Sequence, residues 1–293
     1  MPVVVVCVLL ALAGVGATVR WGGIEVRPPW RDGSDSGSGS GGEATASPLP
    51  AGLVVRRYLW YLDLMLLAGL GSGLAVAGGG GRLVMRLLAV TAGETAQGRL
   101  TEAEEVVGRI TVGGTMAFVI FGGIFAGLAS AALFLSFRRW LPAGRLGGVV
   151  FGLALLVAGA TRIEPLRANN PDFGLVGPGW LAVVAFTTLV LVQAMTVAAI
   201  AGRLSRALPL LAGRINRSWA WHAPLLLLVL TGTGALVLVV LGLVAVGLNR
   251  LGPGSTWLGS GAAIRAGRVA LGVVAIAALP GFVSAVTDIV RPS

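Results

Sequence analysis

Seven apolar runs alternate with polar segments along the chain, at residues 1–19, 58–80, 110–137, 146–161, 180–201, 223–248 and 269–286. A helix needs roughly 20 apolar residues to cross a bilayer, and the runs meet or approach that length, 146–161 only with its flanks. In lipid the backbone must satisfy its own amides, which restricts spanning segments to helices and closed barrels. Runs this continuous predict helices. The expected fold is all-α, a polytopic transmembrane bundle of about six core helices over 56–290, with one separate N-terminal apolar helix at 1–19.

Residues 20–55 read as a linker. Within it, RDGSDSGSGSGGEATASPLP at 31–50 has too few apolar groups to offset the entropy of ordering, and is expected to be disordered. Everything before about Ala51 is therefore expected to be detachable. No Arg or Lys precedes the first run and Arg20 follows it, which favours a spanning helix over a signal peptide.

Composition narrows the class. The chain is 56% hydrophobic and 12% charged, with a mean hydropathy of +0.89, whereas a soluble domain carries about 25% charged residues. The net charge of +10 comes from 22 basic residues, all Arg, in short segments between the runs. Charge placed there fixes membrane orientation rather than reading nucleic acid. Arg138, Arg139 and Arg145 form one acid-free loop, and Arg203, Arg206, Arg214 and Arg217 another. The positive-inside rule puts loops 138–145 and 203–222 in the cytoplasm of a plasma-membrane protein. Strict alternation then puts 82–109, 162–178 and 249–267 outside. One Cys and one His exclude an intrachain disulfide and a bis-histidine haem and leave too few ligands for a zinc site, so no cofactor is expected.

Other polar groups carry narrower expectations. Trp60 and Tyr61 suit an interfacial belt, and Asp63, just inside the second run, should face the bundle or reach back to Arg56 or Arg57. Leu204, Leu208 and Leu211 suggest a short interfacial helix. Gly78 to Gly81 should loosen the helix that carries them. Gly123 with Gly127, and Gly148 with Gly152, form small-residue faces for close helix packing within the bundle, with a second copy or with a protein partner.

Opposed charges are densest between Gly78 and Gly114. Arg82, Arg86, Arg99, Glu102, Glu105 and Arg109 lie there, and Arg162, Glu164, Arg167, Asn169, Asn170 and Asp172 lie on the same face by topology. Arg82 and Arg86 are four apart, so on a helix they share a side, and guanidinium forks suit phosphate or carboxylate. Two readings follow: an outward site for an anionic ligand or lipid headgroup, or an ion-pair lattice tying two loops together. Either predicts that Arg82 or Arg86 approaches the 162–172 loop and that a buried ion pair joins the segments.

Thr101-Glu-Ala-Glu104 has the spacing of a capping box, which predicts a helix start there and a Glu105–Arg109 ion pair one turn on. Glu104-Glu105-Val-Val-Gly-Arg109 also spells EExxxR, which resembles the first motif of the prenyl-protease-like (CAAX and bacteriocin-processing) membrane proteases. That resemblance, six residues long, implies hydrolysis served by Glu104 and Glu105. The family's two histidine motifs have no counterpart beyond His222. Ser72 and Ser260 lie in Gly-Ser-Gly triplets, but a nucleophile needs a base in reach, and topology keeps His222 from both. Gln193 and its neighbouring Thr residues suit a polar path or a helix–helix hydrogen bond. The leading expectation is a transport or channel component or a membrane assembly partner, and the alternative is an embedded hydrolase.

Overall fold

The computed structural model describes residues 2–30, 50–102, 104–167, 169–211, 217–230 and 260–291. The linker at 31–49, Arg214, the rest of the sixth run at 231–248 and the loop at 249–259 lie outside the described residues, as does the Trp219 side chain. The chain is an all-α, membrane-helical bundle. Its helices are α1 (Pro2–Trp21), α2 (Ala51–Thr91), α3 (Val112–Phe137), α4 (Arg145–Ala160), α5 (Gly179–Ser205), α6 (Ala223–Leu230) and α7 (Gly261–Val290). Five of these, α1, α2, α3, α5 and α7, are long and apolar enough to cross a membrane. Three carry π-helical stretches: Gly73–Gly80 in α2, Phe118–Ile124 in α3 and Leu156–Ala160 in α4.

Helix α2 is the axis of the bundle. It runs continuously for 41 residues through Gly78 to Gly81, and the loosening expected there takes the form of the π-helical stretch Gly73–Gly80. The glycines also serve contact. A side chain on Gly78 would press on Val119 of α3, one on Gly79 on Leu10 of α1, one on Gly80 on Leu189 of α5 and one on Gly81 on Phe118 of α3. The four successive glycines face three neighbouring helices, Gly78 and Gly81 both meeting α3. On the α3 side the approach is backbone to backbone. A Cβ on Gly127 would lie 2.5 Å from the Gly73 Cα, and one on Gly123 would lie 2.8 Å from the Gly78 Cα. The expected Gly123/Gly127 face is thus used inside the bundle. Gly148 and Gly152 likewise meet α5, where added Cβ atoms would lie 3.2 Å from the Met195 Cα and 3.3 Å from the Leu191 Cα.

Helix α1 is separate in sequence but lies against the bundle, and so do the described residues that follow it up to Trp30. Gly14 lies against Val76, Cys7 is buried, and Thr18 Oγ1 shares a 2.8 Å hydrogen bond with Thr196 Oγ1 of α5. Arg145 Nη2 donates to the Val19 carbonyl at 3.0 Å, and the Arg27 amide donates to Ser205 Oγ at 3.0 Å. Trp30 packs edge-on against Trp60 and Tyr61.

Two ends result, a basic end and a loop end. At the basic end, Trp60 is not an interfacial anchor: it is fully buried and donates to the Leu208 carbonyl at 2.9 Å. Leu208 packs beneath it, so no interfacial helix forms among the described residues there, and Leu204 belongs to α5. Tyr61 does lie at the edge, accepting a 2.8 Å hydrogen bond from Arg138. Helix α7 reverses the expected alternation. Its Gly267 lies on the Trp140 ring at the basic end, and Ile289 lies against Gly179 at the loop end. The described part of the 249–267 segment therefore joins the basic end. Arg265 and Arg268 near the start of α7 fit that placement, by the same charge rule that located the other loops. Helix α7 also continues through Pro280.

Backbone contact between α2 and α3 leaves no room for a side chain. Gly127→Leu should lower the unfolding midpoint of the detergent-solubilised chain by an overpacking cost of about 1–3 kcal/mol or more. Gly272→Ala, where nothing lies within 4 Å, should leave it unchanged or raise it. Equal effects from the two would refute the tight crossing.

Candidate functional site

Helices α3 and α4 are joined by a short turn at the basic end, where the Phe134 and Phe151 rings meet edge-on at 5.5 Å. Toward the loop end a cavity of about 900 Å³ separates them. Phe118, Phe121, Ala126 and Leu133 of α3 line one side, and Leu155, Gly159 and Ala160 of α4 the other. Gly81 of α2 and Leu189 and Gln193 of α5 form the back, and residues 101–110 and 163–172 form the roof. All three π stretches contribute lining residues, among them Ala77, Phe118, Phe121, Gly122, Gly159 and Ala160. Such stretches recur at functional sites because the extra residue per turn redirects side chains.

The roof is not the start of a helix. Residues 100–106 form a small turn closed by an isolated bridge between Leu100 and Val106, with Glu104 at a φ of 58°. Thr101 does accept a hydrogen bond, from the Glu105 amide at 3.2 Å, but within that turn. The helix begins at Val112, and Thr111 caps it by accepting from the Gly114 amide at 3.0 Å. The Glu105 carboxylate occupies the space that a Gly114 side chain would take. It therefore lies against the positive end of α3 and forms no ion pair with Arg109 among the described residues.

The two loops are joined, but not by Arg82 or Arg86 and not by a buried pair. Arg167 Nη2 contacts Glu102 Oε2 at 2.5 Å, and Arg167 Nε contacts Glu164 Oε1 at 3.1 Å. The side chains are 30% (Arg167), 44% (Glu102) and 50% (Glu164) exposed. Asp172 Oδ1 accepts the Glu102 amide at 2.8 Å, and Asn170 Oδ1 accepts the Asp172 amide at 2.8 Å. Partial burial lifts the Glu164 carboxyl above the usual glutamate range, while Arg167 opposes that shift. The hydrogen bond to Glu102 raises Arg167 further above its ordinary value.

Of the acids lining the cavity, Glu102 and Glu164 are paired with Arg167, while Asp172 accepts a backbone amide and Glu105 lies against the helix start, neither with a cation partner among the described residues. The lining arginines find only neutral partners. Arg82 Nε donates to Thr115 Oγ1 at 3.2 Å, and its guanidinium lies 6.0 Å from the Phe118 ring centroid. Arg86 Nη1 donates to the Gly108 carbonyl at 3.2 Å. Arg109 lines the same cavity. None of the three has a carboxylate partner among the described residues. Eight of the expected site residues line the cavity: Arg82, Arg86, Glu102, Glu105, Arg109, Glu164, Asn170 and Asp172. Arg99, Arg162, Arg167 and Asn169 do not; Arg162 Nη1 donates to the Ala158 carbonyl at 2.9 Å. Deeper in, Gln193 Nε2 donates to Ser72 Oγ at 3.1 Å, and its buried Oε1 has no partner among the described residues.

His222 is not near the EExxxR residues. Its Nδ1 contacts Asp63 Oδ2, and both side chains are fully buried at the basic end. Arg86 bonds the Glu104–Arg109 turn, and 23 residues of α2 separate Asp63 from Arg86, roughly 35 Å at 1.5 Å per residue. No base therefore faces Glu104 or Glu105, and among the described residues no group of three potential metal ligands occurs. Ser72 is a packing group that donates to the Ala68 carbonyl at 2.7 Å. Ser260 caps α7, accepting from the Ala263 amide. The Asp63–His222 pair was not expected from the sequence. Its signal was a single His and a single acid within the second run, each flanked by the tryptophans and arginines of one membrane face.

Compared with protein-family models, with curated proteins and with solved structures, the chain matches none.

Two outcomes test these contacts. Arg167→Ala removes the charge and hydrogen bond that hold Glu164 down, while burial, Glu102 and Asp172 continue to raise it. The Glu164 carboxyl should therefore stay protonated to higher pH than in the parent, as read from its infrared band; an unchanged or lower midpoint argues against the clasp. Asp63→Ala should destabilise the detergent-solubilised chain by roughly 1–3 kcal/mol, the cost of leaving a buried hydrogen-bonding partner unsatisfied, with Asp63→Asn milder. Near-parent stability of Asp63→Ala would show that the pair fastens nothing.

Proposed function

We propose that the protein is a non-enzymatic multi-pass membrane protein that holds an anionic ligand at its loop end, as a transport component or an assembly partner. The observation that supports this reading is the set of guanidiniums at the cavity mouth. Arg167 takes Glu102 and Glu164, whereas Arg82, Arg86 and Arg109 line the cavity with no carboxylate partner among the described residues. A guanidinium at that depth is expensive unless its charge is matched, and an anion bound by the forks of two or three arginines matches it. A pure ion-pair lattice would have given each arginine a carboxylate. The basic end, with Arg138, Arg139, Arg145, Arg203, Arg206, Arg265 and Arg268, faces the cytoplasm by the positive-inside rule, so the mouth faces outward.

Binding of inorganic phosphate or sulfate to the solubilised chain should weaken about tenfold in Arg82→Ala and in Arg86→Gln, the loss of one charge-assisted hydrogen bond. Cysteines placed at Arg138 and Arg265, in a Cys7→Ala background, should label only from the cytoplasmic side. Anion affinity indifferent to both arginines would remove the site, and labelling from outside would invert the orientation.

A further inference from the structure

We infer that the anion held at this mouth is the headgroup of a membrane phospholipid that enters sideways between α3 and α4. The inference rests on the anion site proposed above and names its ligand class. A soluble anion needs a polar cup open to water. Here the space beneath the arginines is a wedge whose walls are mostly apolar, with Ser130 and Gln193 among the polar groups of its lining. Toward the basic end α3 and α4 meet at the Phe134–Phe151 ring contact, and at the loop end the Glu102–Arg167–Glu164 clasp joins the loops above the wedge. Phe121 is 70% and Leu133 39% exposed along its edge, within a helix apolar enough to span the membrane, so that flank faces lipid. A ligand reaching the wedge from the bilayer keeps its hydrocarbon out of water throughout. Its phosphate then rises to the level of Arg82 and Arg86, which lie on the α2 turns just beyond the glycine run and so at the interfacial depth of a headgroup. The occupant fits both halves of the cavity at once: an anionic phosphate for the forks, an acyl chain for the apolar walls.

The test uses the full chain in nanodiscs, with photoactivatable diazirine acyl chains on phosphatidylglycerol or on phosphatidylcholine, and inorganic phosphate measured separately. Phosphatidylglycerol should label peptides 118–133 and 155–163 at least about tenfold more than phosphatidylcholine does, a margin matching one charge-assisted contact. Arg82→Ala should erase that preference, and Arg86→Gln serves the same purpose where Arg82→Ala does not fold. Ala129→Trp, which fills the wedge below the arginines, should abolish wedge labelling while leaving phosphate affinity intact. If phosphate binds in an Arg82-dependent way but phosphatidylglycerol labels the wedge no more than phosphatidylcholine, or labels it equally in Ala129→Trp, the lipid assignment is overturned and the anion site survives. If neither phosphate binding nor lipid labelling depends on Arg82 or Arg86, both fall together.

Discussion

The backbone contact between α2 and α3 is the constraint on which the rest depends. In lipid there is no hydrophobic force to draw two helices together, so close packing and the hydrogen bonds it permits carry association. Gly69, Gly73 and Gly78 on one helix and Gly123 and Gly127 on the other leave no side chain between the chains. That crossing seats α3, and Gly79 to Gly81 extend the same device to α1, α5 and again to α3. The cost of glycine in a helix, about 1 kcal/mol each relative to alanine, is accepted where three neighbours converge on one short stretch. Arg82 follows that stretch immediately. Its position is therefore set by the most tightly packed part of the molecule, which lets a charged group be held at a defined depth.

Charge is sorted along the bundle rather than scattered. At the basic end, arginines act as anchors and packing groups: Arg57 lies 5.0 Å from the Trp30 ring centroid, and Arg138 lies over Tyr61 while donating to its hydroxyl. At the loop end, one arginine, Arg167, holds two carboxylates, while Arg82, Arg86 and Arg109 line the cavity with no carboxylate partner among the described residues. The same economy holds in the interior, where Asp63 and His222 take each other as partners, so that the acid of the second run is not left alone in an apolar surround.

The fold was legible because long apolar runs have few solutions in a bilayer. Eight of the twelve expected site residues line one cavity because charge on alternate loops gathers at one end of the bundle. What was not legible depended on tertiary partners. Gly78 to Gly81 read only as a loosening because the cost of glycine is local, whereas its compensation comes from Leu10, Val119 and Leu189 on three other helices. Thr101 and Glu104 had capping-box spacing, but a positive φ at Glu104 and the bridge from Leu100 to Val106 turn the chain instead, and Thr111 takes the cap. Helix α7 was placed upside down by counting spans, although Arg265 and Arg268 at one end and Asp288 at the other carried the correct orientation. For that helix, charge was a better guide than strict alternation.

The opening between α3 and α4 has a physical origin in how unequally its two ends are secured. At the basic end a short turn and a buried aromatic contact hold the helices together, an interaction that lipid does not weaken. At the loop end the roof is held by ion pairs whose partners are between 30% and 50% exposed, and exposed pairs of this kind contribute about 0–1 kcal/mol. The π stretches at Phe118–Ile124 and Leu156–Ala160 face each other across the same gap, where widened turns take the place of close interdigitation. Glycine and alanine at 122, 126, 129, 159 and 160 keep that space from being filled by the protein's own side chains. A core selected only for stability would be packed without such a void, since each unfilled volume forfeits dispersion contacts along its whole lining. The cavity persists between one strong and one weak closure, directly beneath three arginines that have no carboxylate partner among the described residues.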